Sequence, residues 1–271
     1  MPSLSSRVVA ITGASAGIGY ACAEQLSAAG ATVIVSARRI DRLNDLVAAI
    51  HARGGRALAV AGDVTIASDM RVLVERAVET FGRLDVMICN AGIGYHAPLE
   101  ETPVDVMRRV VDVNLMGTFH AALPAIEQFR KQRTGHLIAV SSIVGRRGVG
   151  GSSIYAATKA AQVGFIESLR ADFHGSGIYA SVVFPVATET EFREAIRRDF
   201  GHDTKGHGPQ QSADTVAAAI VQCVIRPRAE VYPLGKARFL SILNVIAPAF
   251  TDRWVQKYRR GKVTTDDADP S

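Results

Sequence analysis

The chain alternates short runs of β-branched and other apolar residues with longer stretches in which apolar positions recur every three or four residues. The short runs predict strands over 7–12 (RVVAIT), 31–37 (ATVIVSA), 56–62 (RALAVAG), 84–90 (LDVMICN), 135–141 (GHLIAVS), 179–184 (YASVVF) and 230–233 (EVYP). Most are continuously apolar rather than alternating, as in strands covered on both faces. The amphipathic stretches predict helices over 17–29, 39–53, 68–81, 104–131, 153–174, 188–199 and 212–226. Strands and helices in succession imply an α/β fold, a Rossmann-type doubly wound parallel sheet of about seven strands with helices on both faces. No repeat or linker divides the sequence. A single domain is therefore expected over 1–260, ending in a helical segment at 236–258, with a disordered tail at 261–271.

The first strand runs into T-G-A-S-A-G-I-G at 12–19. Its glycines, Gly13, Gly17 and Gly19, are spaced G-x-x-x-G-x-G. That matches neither the usual dinucleotide fingerprint nor a triphosphate loop, which would need a lysine. Between strand and helix, however, such a loop faces the free N–H groups and positive dipole end of the helix, a ready site for a pyrophosphate. Glycine serves there because it tolerates positive φ and removes the Cβ where a phosphate approaches. A tight turn alone could use one glycine, not three. The second strand then ends S-A-R-R, where NAD-binding chains place an acid for the ribose hydroxyls. Arg38 instead offers charge-assisted bonds to a 2′-phosphate and a plane to stack on adenine. NADP(H) is therefore the expected cofactor, with NAD(H) the alternative. On the other reading, Arg38 and Arg39 merely start the next helix on its solvated side.

Further along, N-A-G (90–92) ends the fourth strand, Ser141-Ser142 ends the fifth, and Y-A-A-T-K (155–159) lies in a helical pattern. Together with T-G-x-x-x-G-I-G at 12–19, Asp63-Val64 after the third strand and Asn114 in V-N-L, these motifs resemble the short-chain dehydrogenase/reductase family, single-domain branch, over about residues 7 to 190. The resemblance implies hydride transfer between a nicotinamide and a carbonyl or alcohol carbon. It assigns Tyr155 as general acid/base and Ser142 to the substrate oxygen. Lys159 would lower the tyrosine pKa and hold the nicotinamide ribose, and Asn114 would support a proton-relaying water. Around the cofactor it places Gly13, Ser15, Gly17, Ile18 and Gly19 in the phosphate loop, Asp63 on the adenine amino group and Val64 on the ring. Asn90, Ala91 and Gly92 would flank the adenine ribose, with Pro185, Thr188 and Thr190 toward the carboxamide or pyrophosphate.

The residue chemistry agrees. Tyr155 and Lys159, at i and i+4, share one helix face. A tyrosine with a pKa of about 10 is a poor acid at neutral pH, and a neighbouring ammonium favours its phenolate. A serine at a strand's carboxyl end can hydrogen-bond an oxygen where negative charge develops.

Two positions depart from the family pattern. Where the family reads Pro-Gly after the sixth strand, this chain reads P-V-A-T-E-T (185–190), so Val186 adds a Cβ beside the nicotinamide site. Ala16 lacks the basic residue often found in NADP(H) loops, leaving Arg38 to carry the preference alone. An NADP(H)-binding sensor or scaffold without turnover, and a sugar-nucleotide epimerase, are the competing functions. Epimerases usually carry a larger C-terminal substrate domain, whereas only about 80 residues follow Pro185 here. Substrate is expected beside Gly94–His96, Ile143–Gly150 and the 190–210 segment, where Arg146 and Arg147 could attract an acidic group or simply sit in a solvated loop.

Composition narrows the partners. The net charge of +5 comes largely from scattered arginines rather than one basic element with interleaved aromatics, which argues against nucleic acid. Cys22, Cys89 and Cys223 are far apart and read as small buried hydrophobes in a reducing compartment. With no signal-peptide pattern and no apolar run long enough to cross a bilayer, a cytoplasmic protein is expected. His202 and His207 sit in a polar loop without a ligand-spaced set, so no metal is expected. Segment 236–258 has an apolar face interrupted by Pro248, which would pack on its own domain or another subunit, with peripheral membrane contact as the alternative. The family resemblance implies a homodimer or homotetramer built on the long helices near 104–131 and 153–174.

Overall fold

The structure, a computed structural model, describes residues 4–201 and 210–256. The expected loop and tail around His202, His207 and 261–271 lie outside those residues. The strands are β1 (Val8–Thr12), β2 (Thr32–Ala37), β3 (Arg56–Ala61), β4 (Val86–Cys89), β5 (Gly135–Val140), β6 (Ile178–Val183), β7 (Ala187–Glu189), β8 (Gln210–Ser212) and β9 (Glu230–Val231). Seven of them form one sheet in the order β3-β2-β1-β4-β5-β6-β9, every neighbouring pair parallel.

Successive side chains of a strand point to opposite faces, so strands covered on both faces are apolar at most positions. In β1, Val9 and Ile11 pack with Leu26, Leu43, Leu46 and Ile220 from α1 (Gly17–Ala28), α2 (Ile40–Ala52) and α8 (Ala213–Ile225). Val8 and Ala10 pack on the other face with Met70, Leu73, Phe129 and Ile166 from α3 (Ala67–Phe81), α5 (Gly117–Gln132) and α6 (Ser153–Asp172). The strand order reverses direction between β1 and β4, so the connections leaving their carboxyl ends part to opposite faces and leave a crevice.

Three expected elements differ. The single helix expected over 104–131 is α4 (Val104–Val111), a π-turn at Asp112–Met116 and then α5. The helix expected over 188–199 begins only at α7 (Phe192–Phe200), because Ala187–Glu189 is extended and pairs with β8 in a second, two-stranded sheet. The Thr190 hydroxyl accepts the N–H of Phe192 at 3.2 Å, which satisfies a donor of the first helical turn. Segment 236–258 breaks into α9 (Ala237–Ile246) and α10 (Pro248–Val255), with Pro248 at the first helical position, where its missing N–H costs nothing.

One buried polar pair gives the core a pH dependence. His136 on β5 hydrogen-bonds the Ser181 hydroxyl on β6 at 2.7 Å, and burial, helped by the charge of Arg7, pushes its pKa down to about 3. The folded chain keeps this ring neutral, whereas the unfolded chain takes up a proton below a pH of about 6.5. Stability is therefore present above that pH and lost as pH falls toward 3, by at most about 1.4 kcal/mol per pH unit. Urea unfolding at pH 7 and pH 5 is expected to show wild type losing more stability than His136→Asn. Equal losses would refute it.

Candidate active site

The crevice between β1 and β4 is closed by residues of the two glycine-containing motifs. The Thr12 hydroxyl, at the end of β1, accepts the N–H groups of Asn90 and Ala91, both at 3.1 Å. The Asn90 amide returns hydrogen bonds to the carbonyls of Thr12 (3.0 Å) and Gly13 (3.3 Å). This clasp leaves no room for side chains. A Cβ on Gly13, where φ is +68°, would lie 2.8 Å from Ala91 Cα, and one on Gly19 would lie 2.6 Å from both the Gly13 carbonyl and the Asn90 amide. Gly17 faces the segment after β6, where a Cβ would meet Thr190 at 2.9 Å. Ala16 precedes α1 and supplies no side-chain cap, so the first N–H groups of the helix face the loop without one.

At the carboxyl ends of β2 and β3, Arg38, Arg39, Asp63 and Val64 line the same cleft. Arg39, given no separate role by the sequence, spans the gap. Its guanidinium donates to the Ser15 hydroxyl at 3.1 and 3.2 Å and pairs with Glu191 at 3.1 Å. Arg38 is exposed at the rim. The Asp63 carboxylate accepts the N–H and hydroxyl of Thr65 at 2.9 and 2.8 Å, which fixes the turn before α3.

The other end is built by α6 and the carboxyl end of β5. Lys159 is 3% exposed, its ammonium donating to the Val140 carbonyl at 2.9 Å and to Gln162 Oε1 at 3.2 Å. The nitrogen lies 5.7 Å from the centre of the Tyr155 ring, and burial pushes the lysine pKa down to about 7. Gln162 continues the chain, donating to the Asn114 carbonyl at 2.8 Å and to the Thr118 hydroxyl at 2.7 Å. Asn114 lies within the π-turn, whose altered hydrogen-bond pattern re-aims local carbonyls. Its side chain accepts from the Ile93 N–H at 2.8 Å and donates to the Ile93 carbonyl at 3.0 Å, holding the loop after N-A-G. Gln162 was not singled out from the sequence. Its signal was a polar residue three positions after Lys159 in an otherwise apolar A-A-Q-V-G-F.

Ser142 opens a short 3₁₀ turn, Ile143–Gly145, and its hydroxyl donates to the Pro185 carbonyl at 3.4 Å. Ser141 turns away and binds the Lys159 carbonyl at 2.8 Å, tying β5 to α6. Across from Tyr155 stand His96 and Phe192, with ring centres 5.6 and 6.1 Å from the tyrosine ring. His96 is buried and paired with the Ser152 hydroxyl at 2.8 Å. Gly94 admits Phe192, since a Cβ there would lie 2.5 Å from its ring. Val186 lines the cleft between Pro185 and Thr188.

All the expected site residues except Gly19 and Asn114 line one cleft of about 340 Å³, and those two stand directly behind it. Arg146 and Arg147 do not line it. Arg146 pairs with Glu230 and Glu167, and Arg147 with Asp252, so these arginines brace the surface.

Residues 7–200 match the family model described as short chain dehydrogenase. The chain is 36% identical over 195 residues to an uncharacterized oxidoreductase of Listeria innocua, covering 71% of this chain and 79% of that one. It is 29% identical over 258 residues to the uncharacterized oxidoreductase YxnA of Bacillus subtilis, covering 94% and 72%. Among solved structures, it resembles a short chain dehydrogenase/reductase from Burkholderia phymatum in complex with NAD, with TM-score 0.84 and 22% identity over 92% of this chain and 96% of that one. It also resembles a short chain dehydrogenase from Burkholderia cenocepacia in complex with NADP, with TM-score 0.73 and 28% identity over 84% and 95%.

Proposed function

The chain belongs to the short-chain dehydrogenase family, and on that premise we propose that it is an NADP(H)-preferring oxidoreductase acting on a carbonyl/alcohol pair. The observation that carries this reading is a single cleft with the glycine loop and two arginines at one end and Ser142, Tyr155 and Lys159 at the other.

The cleft suits a dinucleotide. The helix N-terminus offers N–H groups without a side-chain cap, and Gly13, Gly17 and Gly19 leave spaces a Cβ would fill. In this reading Ser15 and Ile18 complete the phosphate loop, and Asp63, Val64 and the Asn90–Gly92 backbone hold the adenosine. Pro185, Thr188 and Thr190 hold the opposite end. A bound nicotinamide supplies or accepts the hydride. The Tyr155 hydroxyl gives its proton to the substrate oxygen in reduction and takes it back in oxidation. Ser142 hydrogen-bonds the same oxygen as charge builds on it. Lys159, its nitrogen 5.7 Å from the centre of the Tyr155 ring, steadies the phenolate with its charge as Tyr155 becomes anionic. Gln162 and the Asn114 carbonyl keep the lysine in place and connect it toward the loop after N-A-G. The molecule is expected to dimerise through α4, α5 and α6, where Val104 and Leu123 are exposed.

Arg38, exposed at the rim of the cleft with no acid at the end of β2, supports a preference for a 2′-phosphate, while the charge of Arg39 is already paired with Glu191. A titration followed by reduced-nicotinamide fluorescence is expected to show NADPH binding at least about tenfold tighter than NADH, one charge-assisted contact being sufficient for that ratio. Arg38→Ala should narrow the gap. Equal affinities in the wild type would overturn the cofactor preference.

A further inference from the structure

Large apolar side chains exposed on a monomer are ordinarily scattered. Here six of the thirteen found among the described residues fall on α9 and α10: Phe239, Ile242, Val245, Ile246, Phe250 and Trp254. On α9 the spacing 239, 242, 246 is that of one helix face, and Phe239, Val245 and Ile246 are 73%, 82% and 75% exposed. On α10, Phe250 and Trp254 are i and i+4 and share a face. Ala237, Thr251 and Val255 are the buried residues of these helices, and the Thr251 hydroxyl joins α10 to α9 by donating to Asn244 at 3.1 Å.

Charge identifies what this surface meets. Between 236 and 256 the described residues carry Lys236, Arg238 and Arg253 against one acid. The single acid, Asp252, is paired with Arg147, and among the described residues Lys236, Arg238 and Arg253 are exposed and make no ion pair. A second copy would bring the same excess of positive charge to a two-fold contact and be repelled. A nucleic acid would satisfy the charge but not the aliphatic row. Basic residues flanking exposed Phe, Ile and Trp suit the boundary of an anionic bilayer. No described helix is long and apolar enough to cross a membrane, so such helices would lie on one.

We propose that α9, α10 and the basic residues beside them form a docking surface for an anionic lipid membrane. The surface is joined to the active-site rim through the loop that follows Ser142: Arg147 pairs with Asp252, and the Asn244 amide donates to the Arg146 carbonyl at 3.4 Å. Docking would therefore bring the catalytic cleft near the bilayer surface.

Trp254 is the only tryptophan of the chain, so its emission reports on this surface alone. The full-length protein is titrated with phosphatidylcholine vesicles, with and without about one-third phosphatidylserine, a composition that supplies the negative surface potential. Blue-shifted emission and co-sedimentation are expected with the anionic vesicles, weakening as salt is raised. Each basic residue near such a surface strengthens binding roughly fivefold. Arg238→Glu with Arg253→Glu should therefore weaken it by at least about tenfold, as should Val245→Ser with Ile246→Ser. NADPH binding, measured in parallel, verifies that each variant is folded. Absence of sedimentation and of a spectral shift at millimolar anionic lipid would overturn the proposal. So would vesicle-free light scattering in which Val245→Ser with Ile246→Ser halves the mass, since the face would then be a subunit contact.

Discussion

Tyr155→Phe is expected to lower kcat by about 10²- to 10⁴-fold, the usual contribution of a positioned proton donor, while leaving NADPH affinity within a few-fold of wild type. The substitution removes one oxygen and keeps the ring, so the packing against His96 and Phe192 persists. Both sides of the expectation matter. If turnover at saturating substrate stayed near normal, Tyr155 would not be the proton donor, whatever its family position. If cofactor binding collapsed with turnover, the residue would be holding the cleft together rather than acting in it. The assay begins with a panel of ketones and aldehydes in the reductive direction with NADPH.

The second large effect is expected at Lys159→Met. Methionine keeps the volume and loses the charge and the donors to Val140 and Gln162. Activity should fall on the scale expected for Tyr155→Phe, since the phenolate loses its neighbouring cation. Stability supplies a readout independent of any substrate. Burial pushes the Lys159 pKa down to about 7, whereas the unfolded chain keeps a lysine of about 10.4. Between those values the unfolded state binds the extra proton, so wild type gains stability relative to the variant as pH rises, by at most about 1.4 kcal/mol per pH unit. Below a pH of about 7 the two should run parallel. The buried thiols of Cys22 and Cys89, which burial pushes upward, act with the opposite sign at alkaline pH, but they are common to both proteins and cancel in the difference. Urea unfolding of the cofactor-free proteins from pH 6 to 10 measures that difference. A constant gap across the range would mean that Lys159 is protonated in the fold as it is in the open chain.

The arginine pair shows how far local pattern reaches. That a positive charge ends β2 can be read from S-A-R-R. That Arg39 bonds Ser15 and Glu191, the latter 152 positions along the chain, cannot. The same holds for Gln162. Its place three residues after Lys159 puts it on the same side of α6, but only the packing of distant segments brings the Asn114 carbonyl to its amide. The missed strand β7 has a similar cause. A three-residue strand has almost no periodicity of its own, and its partner β8 arrives from beyond α7.

By itself the sequence determined the parallel sheet, because strands buried on both faces are apolar at most positions and the helices between them are amphipathic. It determined the glycine spacing at the strand-to-helix turn and the i, i+4 placement of Tyr155 and Lys159 too, since both are set within a few residues along the chain. Tertiary structure alone decided that Thr12 clasps Asn90 and Ala91, that Arg146 and Arg147 brace the surface instead of lining the cleft, and that α9 and α10 turn their apolar rows outward. Each of these joins segments distant in the sequence, and no local preference encodes which distant surface a side chain will meet or miss.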